Sequence, residues 1–282
     1  MVAFIKITVY LNMFEVHERG IKLWHFENLR KHADITHFVS TRHGGSSVPP
    51  FNSLNLGLNS GDNPVRVMEN RRRLAEVLGF NVESIVTSWQ VHEDTIRVIT
   101  RESIAEDASY CKIPRATADA MITDVPHVCI TVIIADCVPI LYYDPAKKAI
   151  GIAHAGWKGT VKGITRKVVK SLGENFGCAP KDIIAGIGPS IGPCCYQVGP
   201  EVVEIVNKVF DKPEELIKKT DSKGKGLFDL WEANRRELID AGIPEENIEI
   251  SEQCTKCNHN TFFSYRYQGA KSGRLAAGIM LK

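Results

Sequence analysis

The stretch "HVCITVIIAD" (127–136) constrains the fold of this chain more than any other. It is almost continuous in β-branched and apolar residues, so it reads as a strand, and only a strand covered on both faces can bury all of it. "VPILYYD" (138–144) and "AIGIAHAG" (149–156) follow closely and read as two further strands. The Asp144-Pro145-Ala146-Lys147-Lys148 segment between them is a turn, which predicts a hairpin. Three adjacent buried strands require layers on either side of them.

Helical patterns supply those layers. Asn63 as cap, Pro64 in the first turn and Gly79 as stop bracket a helix whose apolar positions are Val67, Leu74, Val77 and Leu78. A second helix starts at Val161 and closes at Gly173, with Val161, Ile164, Val168, Val169 and Leu172 on one face. Pro200 opens a third, and a fourth runs from about Asp229 to Ala241. "DIIAGIGPS" and the closing "RLAAGIMLK" read as strands, as does the apolar "MVAFIKITVYLNMF" at the N-terminus. The expected class is α/β, with layered mixed β-sheets flanked by helices. No composition break divides the chain, so one domain is expected over 1–282, with 1–34 as an N-terminal strand extension. "SSVPPFNSLNLGLNSGDNP" (46–64) is a long loop, and the alternation of Leu54, Leu56 and Leu58 predicts that it is packed and ordered.

A net charge of +2 with interspersed signs implies no strongly basic face, which argues neither for nor against nucleic acid, and no nucleic-acid or membrane partner is expected. The nearest basic run, Arg71-Arg72-Arg73, is flanked by Glu69 and Glu76 and reads as a solvated helix face. No apolar stretch approaches the roughly 20 residues of a membrane span, and no signal-peptide cleavage site is evident, so the expected location is the cytoplasm. Eight cysteines in a chain of this length are too sparse for a disulfide scaffold and suggest a few functional thiols in a reduced compartment. No P-loop, G-x-G-x-x-G or zinc-deaminase signature occurs.

Three segments share one design, in which an apolar run ends in a side chain able to bind metal. They are "TSWQVHED" with His92, "IIADCVPIL" with Cys137 beside Asp136, and "IGIAHAGWKG" with His154. Two imidazoles and a thiolate suit zinc with one position left open. Taken singly, each also reads as a buried thiol or a hydrogen-bonded core histidine. "STRHGG" places Arg42 and His43 before a Gly-Gly turn, and arginine offers a planar fork for phosphate or carboxylate. "CTKC" (254–257) has the spacing of half a zinc site, but no second half is found, because Cys194 and Cys195 are adjacent. "FFSYR" (262–266) offers either stacking aromatics beside Arg266 or an edge strand with core aromatics.

Taken in order, "STRHGG", "SLNLG", "GDNP", "NRRRL", "WQVH", "ADAMIT", "ADCVPIL", "HAGWKG", "IGPSIGPCCYQVG", "CTKC" and "FFSYR" with "SGR" resemble the laccase-domain family. That family was first described as multicopper polyphenol oxidoreductases, and its members are now read as multifunctional purine nucleoside enzymes. The resemblance runs from about residue 35 to the C-terminus, with Tyr267 standing where a second arginine is common. It implies a zinc site at His92, Cys137 and His154, and a layered fold with sheets between helices. It also implies phosphorolysis of adenosine, inosine, guanosine and methylthioadenosine, and deamination of adenosine.

On that footing Arg42 is the candidate for binding phosphate or ribose, and His43 the candidate for proton transfer. Lys158 either adds positive charge to the cleft or lies on the surface, Arg266 is a candidate substrate contact, and Asp136 either orients a ligand or caps a turn. The expected partners are purine nucleosides and phosphate, with the chain a monomer or homodimer. The rival readings are a copper-dependent polyphenol oxidase, a cysteine hydrolase with Cys137 as nucleophile and His154 as base, and a metal-stabilised nucleoside sensor. Nine scattered histidines without an H-x-H motif argue against several copper centres.

Overall fold

The computed structural model describes residues 6–10, 13–105, 110–114, 116–218 and 221–282. Of the apolar N-terminal stretch, residues 1–5, 11 and 12 lie outside the described residues. A hairpin of β1 (Lys6–Tyr10) and β2 (Met13–Glu18) leads into β3 (Ile21–Phe26), α1 (Glu27–Arg30) and β4 (Ile35–Ser40). The long loop then reaches α2 (Pro64–Leu78), β5 (Ile85–Val86), β6 (Ile96–Val98), α3 (Arg101–Ala105) and β7 (Ala120–Thr123). The three expected strands are β8 (Cys129–Ile134), β9 (Val138–Asp144) and β10 (Ala149–Ala155), followed by α4 (Trp157–Val161) and α5 (Ile164–Phe176). Next come β11 (Ile184–Ile187), β12 (Gln197–Val198), α6 (Pro200–Val209), β13 (Ile217–Lys218) and β14 (Gly226–Phe228). The chain ends with α7 (Leu230–Asp240), β15 (Ile248–Ile250), α8 (Tyr265–Gln268) and β16 (Leu275–Leu281).

Two mixed sheets, ordered β1-β2-β3-β4-β16-β8-β5 and β15-β11-β9-β10-β7-β6, pack face to face, and β12-β14-β13 form a small third sheet. The two-residue period of the strands sorts the core. From β9 and β10, Leu141, Tyr143, Ile150 and Ile152 enter the space between the sheets and meet Ile130, Val132 and Ile134 of β8. Their neighbours Ile140, Tyr142, Ala149 and Ala153 face the other way, onto Val168 and Leu172 of α5 and Val206 of α6. The outer face of the first sheet is covered by Leu54 and Leu56 of the long loop and Leu74 of α2. Hence β8 is nearly all apolar because both of its faces are covered, and the long loop is held in place by Leu54 and Leu56 in the core.

β9 and β10 form the expected antiparallel hairpin. Asn63 Oδ1 accepts from Val65 N at 2.9 Å, and Gly79 closes α2 at φ +76°. Three expectations are corrected. The helix that was to run from Val161 to Gly173 is two helices, because Gly163 at φ +74° breaks it; Gly173 lies inside α5, which Gly177 ends at φ +69°. "FFSYR" is not an edge strand: Phe262 and Phe263 are fully buried, and Ser264 caps α8 through Tyr267 N. Arg71 does not sit on a solvated face, being buried with Nε and Nη2 donating to Leu56 O. Among the described residues before 35, β1, β2 and β3 belong to the first sheet, and Ile21, Leu23, Trp24 and Phe26 of β3 are all in the core.

Candidate metal centre and cavity

His154 stands at the end of β10, and Cys137 sits in the tight link between β8 and β9. His92 lies on a loop, with its backbone left-handed at φ +61° rather than at a strand end. The ligand-capable atoms of these three side chains all lie within 4.8 Å of one another. The two rings meet edge-on with centroids 4.8 Å apart. Gly156 makes room for the cluster, since a Cβ there would stand 3.1 Å from Cys137 Sγ and 3.4 Å from His92 Cδ2.

The element that organises this cluster is Asp119, which sequence reasoning passed over. Its carboxylate is buried and bonds His154 Nδ1 at 2.8 Å. It also accepts from the backbone N–H groups of Val91, His92 and Glu93 at 3.1, 3.0 and 2.8 Å. One carboxylate therefore holds the strained backbone of His92 and fixes the ring of His154, as outer-shell carboxylates do for metal-binding histidines. The available signal was an acid inside "ATADAMIT", an otherwise apolar lead into a strand.

The electrostatics follow from burial and pairing. Burial pushes the Cys137 thiol up, yet the two imidazoles more than offset it and hold the thiol below its usual range. Burial likewise disfavours a charged His154, but the Cys137 sulfur and Asp119 raise it well above an ordinary histidine. Asp119 stays below the usual carboxylate range because His154 and the backbone donors outweigh its desolvation. A sulfur and two imidazoles poised to share charge suit a borderline-soft divalent ion such as zinc.

The cluster opens onto a cavity of about 560 Å³, within the size range of small-molecule sites. Trp89, Trp157, Tyr196 and Tyr265 give it aromatic walls, and Arg71, Arg266 and Arg274 bring three guanidinium groups to it. Arg266 lies over the Tyr196 ring at 5.1 Å, and Arg274 over the Tyr265 ring at 5.8 Å. Gln90 stiffens the wall by pairing with the β8 backbone, accepting from Ile133 N at 2.7 Å and donating to Ile133 O at 2.8 Å.

Other expected site residues are placed differently. Arg42 and His43 follow β4 and are not among the described residues lining the cavity. The Arg42 guanidinium is engaged with Asn52 O at 3.0 Å and His259 O at 2.8 Å, and lies over Phe263. Lys158 is exposed, its ammonium 5.9 Å from the Trp157 ring, while Trp157 itself lines the cavity. Asp136 at φ +86° accepts from Thr255 Oγ1 and Arg266 N, both at 2.6 Å, so it anchors α8 and not a metal ligand. Cys194 and Cys195, set aside as partners of "CTKC", do reach Cys254 and Cys257.

The sequence model of the family described as multi-copper polyphenol oxidoreductase laccase matches residues 36–282, most of the chain. The chain belongs to this family. Among its members, a protein of Geobacillus stearothermophilus named purine nucleoside phosphorylase YlmD is 40% identical over 241 residues, covering 86% of this chain and 88% of that one. A protein of an unknown prokaryotic organism named adenosine deaminase RL5 is 35% identical, covering 87% of this chain and 93% of that one. The crystal structure of the Bacillus licheniformis hypothetical protein YfiH superposes with a TM-score of 0.86 at 37% identity, covering 94% of this chain and 97% of that one. The layered α/β arrangement is thus the family fold.

Proposed function

We propose that this chain is a zinc-dependent enzyme of purine nucleosides, cleaving adenosine, inosine, guanosine and methylthioadenosine by phosphorolysis and deaminating adenosine. The observation that carries the reading is the imidazole–thiol–imidazole cluster at the wall of a cavity lined with aromatic rings and guanidinium groups. The names of relatives as phosphorylase and deaminase support the substrate class.

His92, Cys137 and His154 would hold the ion, which when bound supplies Lewis-acid polarisation and an activated water. Asp119 pairs with His154 Nδ1, which would leave Nε2 as the nitrogen to face an ion held with Cys137. Trp89, Trp157, Tyr196 and Tyr265 offer flat apolar faces for a purine. Arg71, Arg266 and Arg274 supply the positive field for phosphate at the ribose end. Arg266 keeps the substrate-binding role expected of it. Arg42 would take a supporting one, bracing the loop between β4 and α2 through Asn52 O. Zinc is favoured over copper because, among the described residues, histidine enters only one metal-capable cluster, whereas copper oxidases that reduce dioxygen need several centres.

The test is joint loss. Cys137→Ala and His92→Ala should lose both one zinc per chain and turnover of adenosine and inosine. Full turnover in His92→Ala would show the ligand set to be wrong.

A further inference from the structure

A second group of side chains lies outside the cluster just described. Cys194, Cys195, Cys254 and Cys257 bring four sulfurs within 4.8 Å of one another, with Cys257 Sγ 3.5 Å from Cys194 Sγ and 3.4 Å from Cys195 Sγ. In a tetrahedral site with Zn–S near ~2.3 Å, sulfurs stand about 3.8 Å apart, so the observed spacing brackets what one ion needs. It is well beyond the roughly 2.05 Å of a disulfide bond.

The backbone explains how adjacent cysteines serve one site. Cys195 N and Tyr196 N both donate to Gly192 O, at 2.9 and 3.0 Å, which winds residues 192–196 into a helix-like turn. Successive side chains in such a turn point about 100° apart, not to opposite faces as in a strand, so Cys194 and Cys195 reach the same point. From the facing segment, Cys254 Sγ accepts from Gly192 N at 3.3 Å and Cys257 N at 3.5 Å. Backbone N–H groups aimed at a sulfur favour its thiolate form, the form that binds metal. The two segments are already stitched together by Ser190 N to Gln253 O at 3.1 Å and Thr255 N to Ser190 O at 2.9 Å.

We propose that these four cysteines form a second metal centre, a closed all-thiolate site for a thiophilic divalent ion, zinc foremost, with a structural role. The site clamps the 190–197 segment to the 253–258 segment. Ile191 and Tyr196 on the first segment line the cavity. Thr255 on the second bonds Asp136, the neighbour of Cys137. Four protein ligands leave no open position, so the ion would position the cavity wall and take no part in chemistry.

The test counts metal in the full-length chain, purified under reducing conditions. With the first site broken by Cys137→Ala, one zinc per chain should remain, and adding Cys254→Ser with Cys257→Ser should remove it. No zinc in Cys137→Ala overturns the proposal, as does zinc retained in the combined variant. Cobalt(II) loading gives a reading free of any change to the cluster. Intense near-ultraviolet thiolate-to-cobalt charge transfer should persist in His92→Ala and Cys137→Ala, and its absence in both overturns the proposal. A disulfide joining Cys257 to Cys194 or Cys195 in that reduced protein likewise overturns it. Neither readout depends on purine turnover, so this proposal and the enzyme reading fail separately.

Discussion

Asp119 concentrates the logic of the site in one side chain. Its carboxylate meets three consecutive backbone N–H groups and the His154 ring, so it sets the positions of both histidines together. Asp119→Asn keeps the shape, but its amide offers one oxygen where the carboxylate has two. Metal affinity at the cluster should fall about 10- to 100-fold, measured by competition with a chromophoric chelator, with little loss of fold. An unchanged affinity would mean that the carboxylate is only filling space. At this scale the sequence is legible for the side chains that converge and poorly legible for what holds them. His92, Cys137 and His154 stand out as chemically unusual ends to apolar runs, whereas Asp119 and Arg71 acquire their roles only when distant segments meet. Arg71 looks like one of three solvated arginines until the long loop folds over it and presents Leu56 O.

Helices and strands were read correctly wherever local chemistry is decisive. α2 carries its cap, its proline and its terminal glycine in sequence, and all three do the expected work. The break after Val161 is not legible in the sequence because Gly163 and Gly173 look alike there, and only the backbone shows that Gly163 takes the left-handed turn and Gly173 the helix. Cys194 and Cys195 do not look like a partner for "CTKC" in the sequence because they lack its C-x-x-C spacing, and only the turn at 192–196 lets both reach Cys254 and Cys257. Packing between α5 and α7 yields a pH-dependent prediction. Glu237 is buried, with Arg166 Nε 3.2 Å from its Oε2 but no hydrogen bond to that oxygen. Burial raises its pKa to about 6, against Arg166, which lowers it. A carboxyl with a raised folded pKa destabilises the protein where it must be charged, that is above about pH 6, and the cost disappears below its unfolded value near 4.5. Glu237→Gln should therefore be more stable at pH 8 by up to about 2 kcal/mol, with the difference vanishing by pH 4 in denaturant titrations. A constant difference across that range would contradict the assignment.

Over the whole molecule, the layers explain why the site is where it is. Two sheets packed face to face leave their inter-strand links at the rim, and the β8–β9 link, the end of β10 and the loop carrying His92 converge there. Among the described residues no helix is long and apolar enough to cross a membrane. The α/β class and the central hairpin were readable from patterning alone. The order of strands was not, because β16 from the C-terminus inserts between β4 and β8, a pairing that no local signal announces. The cavity depends on that closure, since Arg274 enters it from the residue just before β16.

The central claim, that this cavity turns over purine nucleosides, is tested most directly by following adenosine over time by chromatography with zinc-loaded protein, with and without phosphate. Adenine should form only with phosphate, inosine should form in both reactions, and both products should vanish in Cys137→Ala. Intact adenosine in every reaction, from folded protein carrying zinc at His92, Cys137 and His154, would contradict the account.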